Sequence, residues 1–194
     1  MGEDGIPSEQ TVRALVYGWG NTKWAADPAY IRTFMQYARQ AANDILECGS
    51  GLSTLLLGLA ARDTDVRVWS LEHDAEWADR MESLLARYGI DTVTVCSSPL
   101  CDFGDFEWYD APLDRLPKRF DVVVCDGPPY TTRGGRYGLV PVFGSRLCPG
   151  TVILLHDAQR RQEQNIAATW ARQLGTDFTV SEACEAKCFA TIVV

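Results

Sequence analysis

Five short apolar runs constrain this chain most: Ile45–Cys48, Val66–Leu71, Val93–Cys96, Phe120–Cys125 and Thr151–Leu155. Between them lie segments with helical spacing, among them Ala75–Tyr88, where Trp77, Met81, Leu84, Leu85 and Tyr88 would share a face. Leu52–Ala61, Tyr137–Leu147 and Gln159–Leu174 are the other predicted helices; Gly89 and Pro149-Gly150 stand where helices should stop. Strands alternating with helices imply an α/β, doubly wound, parallel sheet. The unbroken run FDVVVC fits a strand with helices over both faces. Phe178–Val180 and Cys188–Val194 have no helix between them and predict a terminal antiparallel pair. Pro99–Lys118 shows no period and predicts a loop or a short irregular helix. Residues 1–43, with a helix over Tyr30–Ala42, are expected to form a cap or helical arm, and residues 44–194 one domain.

The chain of 194 residues is long enough for one real core, and 46 % apolar residues is a globular composition. A net charge of −8 argues against coating nucleic acid, because no basic face offsets the acids. The first residues, MGEDGIPSEQ, lack the basic-then-apolar order of a secretory signal, and no run approaches the ~20 apolar residues that cross a bilayer. Seven cysteines, scattered and odd in number, suit reduced thiols and a cytoplasmic location. Cys184 and Cys188 are four apart with no second pair nearby, a poor zinc site.

Ligands of open α/β sheets bind beyond the strands' carboxyl ends, and acids crowd that edge: Glu47, Glu72, Asp126 and Asp157. In ILECGSGLST, Gly49 and Gly51 form a tight turn, but Glu47 at its mouth would repel a pyrophosphate and welcome an ammonium or sulfonium. The third glycine of a dinucleotide turn is Thr54 here. Glu72 lies 21 residues past Gly51, a suitable distance for accepting hydrogen bonds from a ribose diol. The plainer alternative is that the two glycines only let helix and sheet pack closely.

In order along the chain, ILECGSGLST, VWSLEHD, FDVVVCDGPP and GTVILLHDA resemble the motifs of class I S-adenosylmethionine-dependent methyltransferases, over about residues 44–194. The resemblance implies a three-layer, Rossmann-like, seven-stranded sheet with an antiparallel C-terminal strand. It also implies S-adenosylmethionine as cofactor, with Glu47, Gly49 and Gly51 around the methionine part and Glu72 on the ribose; Ser50 and Ser53 of the same turn, and His73 near the ribose or adenine, are further cofactor candidates. Ser97 to Leu100, Ser98 included, would border the adenine, and Asp126 is a further cofactor contact. Ser53 replaces the family's third glycine and can cap the next helix. Asp126 and Asp157 resemble the divalent-ion ligands of catechol and macrolide-sugar O-methyltransferases, which implies Mg²⁺. The asparagine expected beside them is Ala158, whose place water or Gln159 would take.

The catalytic reading places Asp126, His156 and Asp157 together, with His156 as base for a substrate hydroxyl. The alternatives are that His156 is a core residue, that Asp126 bonds the cofactor's amino group and that Asp157 caps the helix from Gln159. Tyr130, Arg133 and Arg136 are candidate substrate residues; either arginine would pair with a substrate anion or neutralise the aspartates. Trp19, Trp24, Trp108 and Tyr109 are lid candidates. The expected function is O-methylation of a small molecule. An NAD-dependent oxidoreductase, an N-methyltransferase using Asp126-Gly127-Pro128-Pro129-Tyr130 and a non-catalytic nucleoside-binding subunit are the alternatives. The expected partner is the small-molecule acceptor, with no membrane or nucleic acid; a homodimer is left open.

Overall fold

The computed structural model describes residues 6–21, 26–181 and 187–194. Two helices come first, α1 (Glu9–Trp19) and α2 (Pro28–Gln40). The Ser8 hydroxyl and the Asp27 carboxylate accept the Thr11 and Ala29 N–H groups and cap them. Then follow β1 (Ile45–Cys48), α3 (Leu52–Ala60), β2 (Val68–Glu72), α4 (Ala75–Arg87) and β3 (Val93–Ser97). A hairpin of β4 (Leu100–Asp102) and β5 (Glu107–Tyr109) leads to β6 (Phe120–Cys125), α5 (Leu139–Phe143) and β7 (Leu147–His156). The chain closes with α6 (Arg161–Leu174), β8 (Phe178–Val180) and β9 (Phe189–Val193).

Seven strands form one sheet in the order β3-β2-β1-β6-β7-β9-β8, with β9 antiparallel to both neighbours. Strand order reverses between β1 and β6, so the ligand crevice of such a sheet opens above those two strands. Alternate residues face opposite layers. Ile45, Val68, Val122, Val124 and Leu154 pack with Tyr30, Ile31 and Phe34 of α2 and Leu56 and Leu57 of α3. Leu46, Leu71, Val123 and Ile153 pack with Trp108, Phe143 and Trp170 on the other side.

Three segments depart from expectation. Pro99–Lys118 contains the β4–β5 hairpin, and Trp108 and Tyr109 are 0 % and 1 % exposed, core residues rather than lid. The predicted helix over Tyr137–Leu147 is reduced to α5 and a turn at Gly144–Arg146, since Pro141 removes a donor inside it. Pro149-Gly150, expected to end that helix, lies inside β7 instead. The register slips between Phe120 and Val122, and the Thr151 hydroxyl holds the slip by donating to the Phe120 carbonyl and accepting the Cys148 N–H.

Cys48, Cys96 and Cys125 are free and buried, and Cys101 and Cys148 are free and half-buried. Cys188 corrects the all-thiol expectation: outside the buried strands, just before β9, it is disulfide-bonded. Trp24 and Cys184 lie outside the described residues. Among the described residues no helix is long and apolar enough to cross a membrane.

Candidate active site

At the end of β1 the chain turns through Gly49, whose φ of 89° is left-handed. A Cβ there would stand 3.1 Å from the Gly127 backbone, so this glycine is needed for the close approach of the turns after β1 and β6. Gly51 differs. Its backbone is extended, and nothing lies within 4 Å of where its Cβ would be. Space is open in front of Gly51, and a side chain there would begin to fill it.

Glu47 lies beneath this turn, 1 % exposed. Its Oε2 accepts the Thr54 and Ser70 hydroxyls at 2.7 and 2.6 Å, while its Oε1 is buried without a partner. Burial raises its pKa to about 7, against the nearby hydroxyls of Ser53, Ser70 and Thr54 that favour the charge. Ser53 does not cap α3, whose N-cap is Gly51; the Thr54 hydroxyl accepts the Gly51 N–H instead, at 2.8 Å.

Glu72, ending β2, reaches back to the same turn. Its Oε2 accepts the Ser50 N–H and hydroxyl at 3.0 and 2.7 Å, and its Oε1 accepts the Asp74 N–H at 3.0 Å and lies 2.9 Å from His73 Nδ1. Burial works against its charge, but these bonds outweigh it and hold the carboxyl below its ordinary value. The bond to Glu72 in turn raises the His73 pKa against partial burial. Trp77 of α4 donates its indole N–H to the Ser50 carbonyl at 3.1 Å and stacks edge-on with Trp19. Ser97, the last residue of β3, is exposed, whereas Ser98 just beyond it is fully buried with an unpartnered hydroxyl. An open space at Gly51, an orphan carboxylate oxygen on Glu47 and an orphan hydroxyl on Ser98, all toward the carboxyl ends of β1 and β3, fit a nucleoside carrying an ammonium.

At the ends of β6 and β7 the acids are managed differently. Asp126 Oδ1 is 2.9 Å from His156 Nδ1 and accepts Arg136 Nη2 at 3.0 Å. The same Nη2 donates to Asp157 Oδ2 at 3.0 Å, and Nη1 donates to the His156 carbonyl at 2.6 Å. Arg136 is 3 % exposed. Burial opposes its charge, yet Asp126 and Asp157 raise its pKa above the ordinary arginine value. Asp126 is held below its usual range because His156 and Arg136 outweigh its burial. Asp157 Oδ2 also meets Arg160 Nη1 at 3.0 Å, and its Oδ1 accepts the Gln159 amide at 3.3 Å. The Asp27 N–H points at His156 Nε2 at 3.4 Å. With a donor on Nε2 and an ionised carboxylate at Nδ1, the imidazole carries its proton on Nδ1.

The candidate residues thus sort into three groups. Asp126, His156, Asp157 and Arg136 form one cluster. Glu47, Gly49, Ser50, Gly51, Ser53, Glu72 and His73 form a second around the glycine turn. Arg133 leaves both and pairs with Asp102 of the hairpin at 2.5 Å, while exposed Tyr130 lies under the Arg160 guanidinium. Arg136 takes the neutralising role of the two open to it. Asp157 does not cap α6, whose N-cap is Arg160.

Asp126, His156 and Asp157 bring ligand-type atoms within 4.8 Å of one another, as a divalent ion would require. Asp126 Oδ1 and both Asp157 oxygens are already bonded to Arg136, Arg160, Gln159 and the His156 ring, and a guanidinium stands between the carboxylates, so the corner does not fit Mg²⁺. Gln159 offers no substitute oxygen either, for its Oε1 accepts the Cys188 N–H at 2.8 Å. Sequence reasoning missed Asp27, Tyr30 and Trp77 as site residues. Tyr30 lies against the His156 ring, with centroids 4.6 Å apart. Two grooves of about 500 and 410 Å³ open along α6 and α2, and neither is lined by a strand-end acid.

A family described as "Methyltransferase domain" matches residues 46–158. No curated protein matches the sequence. Among solved structures, the O-methyltransferase from Bacillus cereus in complex with SAH aligns at a TM-score of 0.65 and 19 % identity, over 98 % of this chain and 93 % of that one. The SAH-bound Podospora anserina methyltransferase PaMTH1 aligns at 0.64 and 18 %, covering 97 % and 88 %. The O-methyltransferase TomG from Streptomyces achromogenes, in complex with SAM, aligns at 0.61 and 16 %, covering 98 % and 92 %. These likenesses are of fold.

Proposed function

The chain belongs to the methyltransferase-domain family, and from that premise we propose that it uses S-adenosylmethionine to methylate an oxygen of a small molecule. The observation that carries the cofactor reading is the buried Glu47 carboxylate, whose Oε1 is without a partner beneath the open turn at Gly51. An ammonium gives that oxygen the donor it lacks, and binding it holds the carboxylate ionised. The Ser50 hydroxyl, a donor to Glu72 at 2.7 Å, stands where a ribose hydroxyl would donate. The buried Ser98 hydroxyl supplies a bond at the adenine side. A pyrophosphate gains nothing from this rim, which leaves the NAD-dependent alternative without support.

The cofactor supplies a methyl group on a sulfonium. The chain must orient the acceptor and take one proton from it. His156 is suited to take that proton, because Asp126 accepts the Nδ1 proton at 2.9 Å and stabilises the imidazolium that forms, leaving Nε2 as the base. The acceptor hydroxyl takes the place of the Asp27 N–H, whose bond to Nε2 is long at 3.4 Å. Oxygen is favoured over nitrogen because a hydroxyl must give up its proton as the methyl arrives, the task for which His156 is oriented by Asp126, whereas a neutral amine attacks with its own lone pair. Transfer of labelled methyl to phenols and sugars tests the proposal. His156→Gln should lower the rate about 10²- to 10⁴-fold while leaving S-adenosylhomocysteine affinity unchanged. Methyl transfer undiminished in His156→Gln would refute the base assignment.

A further inference from the structure

We propose that Arg136 is the resident cation of the corner between β6 and β7: its guanidinium holds the position of a divalent ion, so the protein excludes metal there. The inference rests on the reading of this corner as the reacting site, but its geometry stands by itself. Two aspartates and an imidazole converge as a metal site would, and the group at their focus is a 3 % exposed guanidinium with one nitrogen 3.0 Å from both carboxylates.

Three of the four carboxylate oxygens of the cluster are already bonded to donors. Asp126 Oδ1 accepts from Arg136 and His156, Asp157 Oδ2 from Arg136 and Arg160, and Asp157 Oδ1 from Gln159. The imidazole lone pair on Nε2 is turned to the Asp27 N–H. Two arginines balance two aspartates, so a divalent ion added here would meet two like charges and displace their bonds. Glu163, fully buried 3.7 Å from Arg160, faces the same pair of arginines, and burial raises its pKa toward the neutral acid. Ala158 adds no oxygen from its side chain. The fixed charge does one thing an ion would do, which is to hold Asp126 ionised and oriented toward His156.

Loss of the guanidinium should turn the corner into a metal site, and this is measurable without cofactor or acceptor. Mn²⁺ is titrated into wild-type protein, Arg136→Ala and the double variant Arg136→Ala/Asp126→Asn, with free Mn²⁺ read by electron paramagnetic resonance. The wild type should leave the metal free to about 1 mM. Arg136→Ala should bind one equivalent with a dissociation constant on the order of 0.1 mM and gain about 3 °C in melting midpoint at 1 mM Mn²⁺. The double variant should lose both effects. If Arg136→Ala does not fold, Arg136→Gln, which keeps the side chain's length without its charge, takes its place. An equivalent of Mn²⁺ bound by the wild type and lost in Asp126→Asn would overturn the proposal. So would a folded Arg136→Ala that binds none. Neither result would touch the cofactor reading, which nucleoside binding decides separately.

Discussion

At the ends of β1 and β2, Glu47 and Glu72 are held by hydroxyls, backbone N–H groups and one histidine. At the ends of β6 and β7, Asp126 and Asp157 are held by two arginines. Among the described residues no lysine or arginine pairs with Glu47 or Glu72, and one Glu47 oxygen stays unpartnered. Both corners bury carboxylates at one sheet edge, yet one is neutralised from within, and in the other an oxygen keeps no donor, which is where the proposed function seats a cation from outside. Acidity alone does not mark a ligand site. What marks it is the acid the chain has not balanced.

Removing the internal cation should have the largest effect. Arg136→Ala leaves Asp126 without its arginine and Asp157 with Arg160 alone, and should cost about 3–5 kcal/mol, roughly 10 °C in melting midpoint by calorimetry. A loss below about 1 kcal/mol would mean the two corners do not differ as described.

Glu47→Gln should act in the opposite direction. In the folded protein the Glu47 carboxyl keeps its proton up to about pH 7, and in the unfolded chain it releases it near 4.5. Stability is therefore lost as pH rises from 4.5 to 7, by about 3 kcal/mol for the ionised form. In urea denaturation the variant should exceed the wild type by about that amount at pH 8, the gap closing toward pH 5. An equal gain at both pH values would contradict the titration.

Gly127→Ala probes the seam between the corners. Its Cβ would meet Gly49 Cα at 2.9 Å and press on the Tyr109 hydroxyl, at a cost of about 2 kcal/mol. The smallest effect is that of His73→Gln. The raised His73 pKa means its pairing with Glu72 stabilises at low pH and fades as pH rises through that value. After solvent screening this is worth about 0.5 kcal/mol or less near pH 5.5 and nothing at pH 8.5, measurable as a difference in urea midpoint.

The central strands were legible because burial on both faces leaves runs such as FDVVVC with no polar alternation, and the acids were legible because each follows such a run. Helix α1 was not, since Val12 is its one fully buried residue and so weak a stripe carries little period. The β4–β5 hairpin was hidden for a related reason: its strands have three residues each, and Trp108 is buried by the Gly138 backbone rather than by a local pattern. Arg136 was recognisable as charge but not as to role, because its target depends on the path of a glycine-rich turn. The hydroxyls that answer Glu47 come from β2 and α3, a pairing that only the folded register brings together.

Calorimetric titration of S-adenosylmethionine and S-adenosylhomocysteine into wild type and Glu47→Gln tests the central claim most directly. Both nucleosides should bind the wild type one to one and more tightly at pH 8 than at pH 6. The variant should bind at least ~10-fold more weakly and lose the pH dependence. No uptake at millimolar nucleoside, or unchanged affinity and pH dependence in the variant, would contradict it.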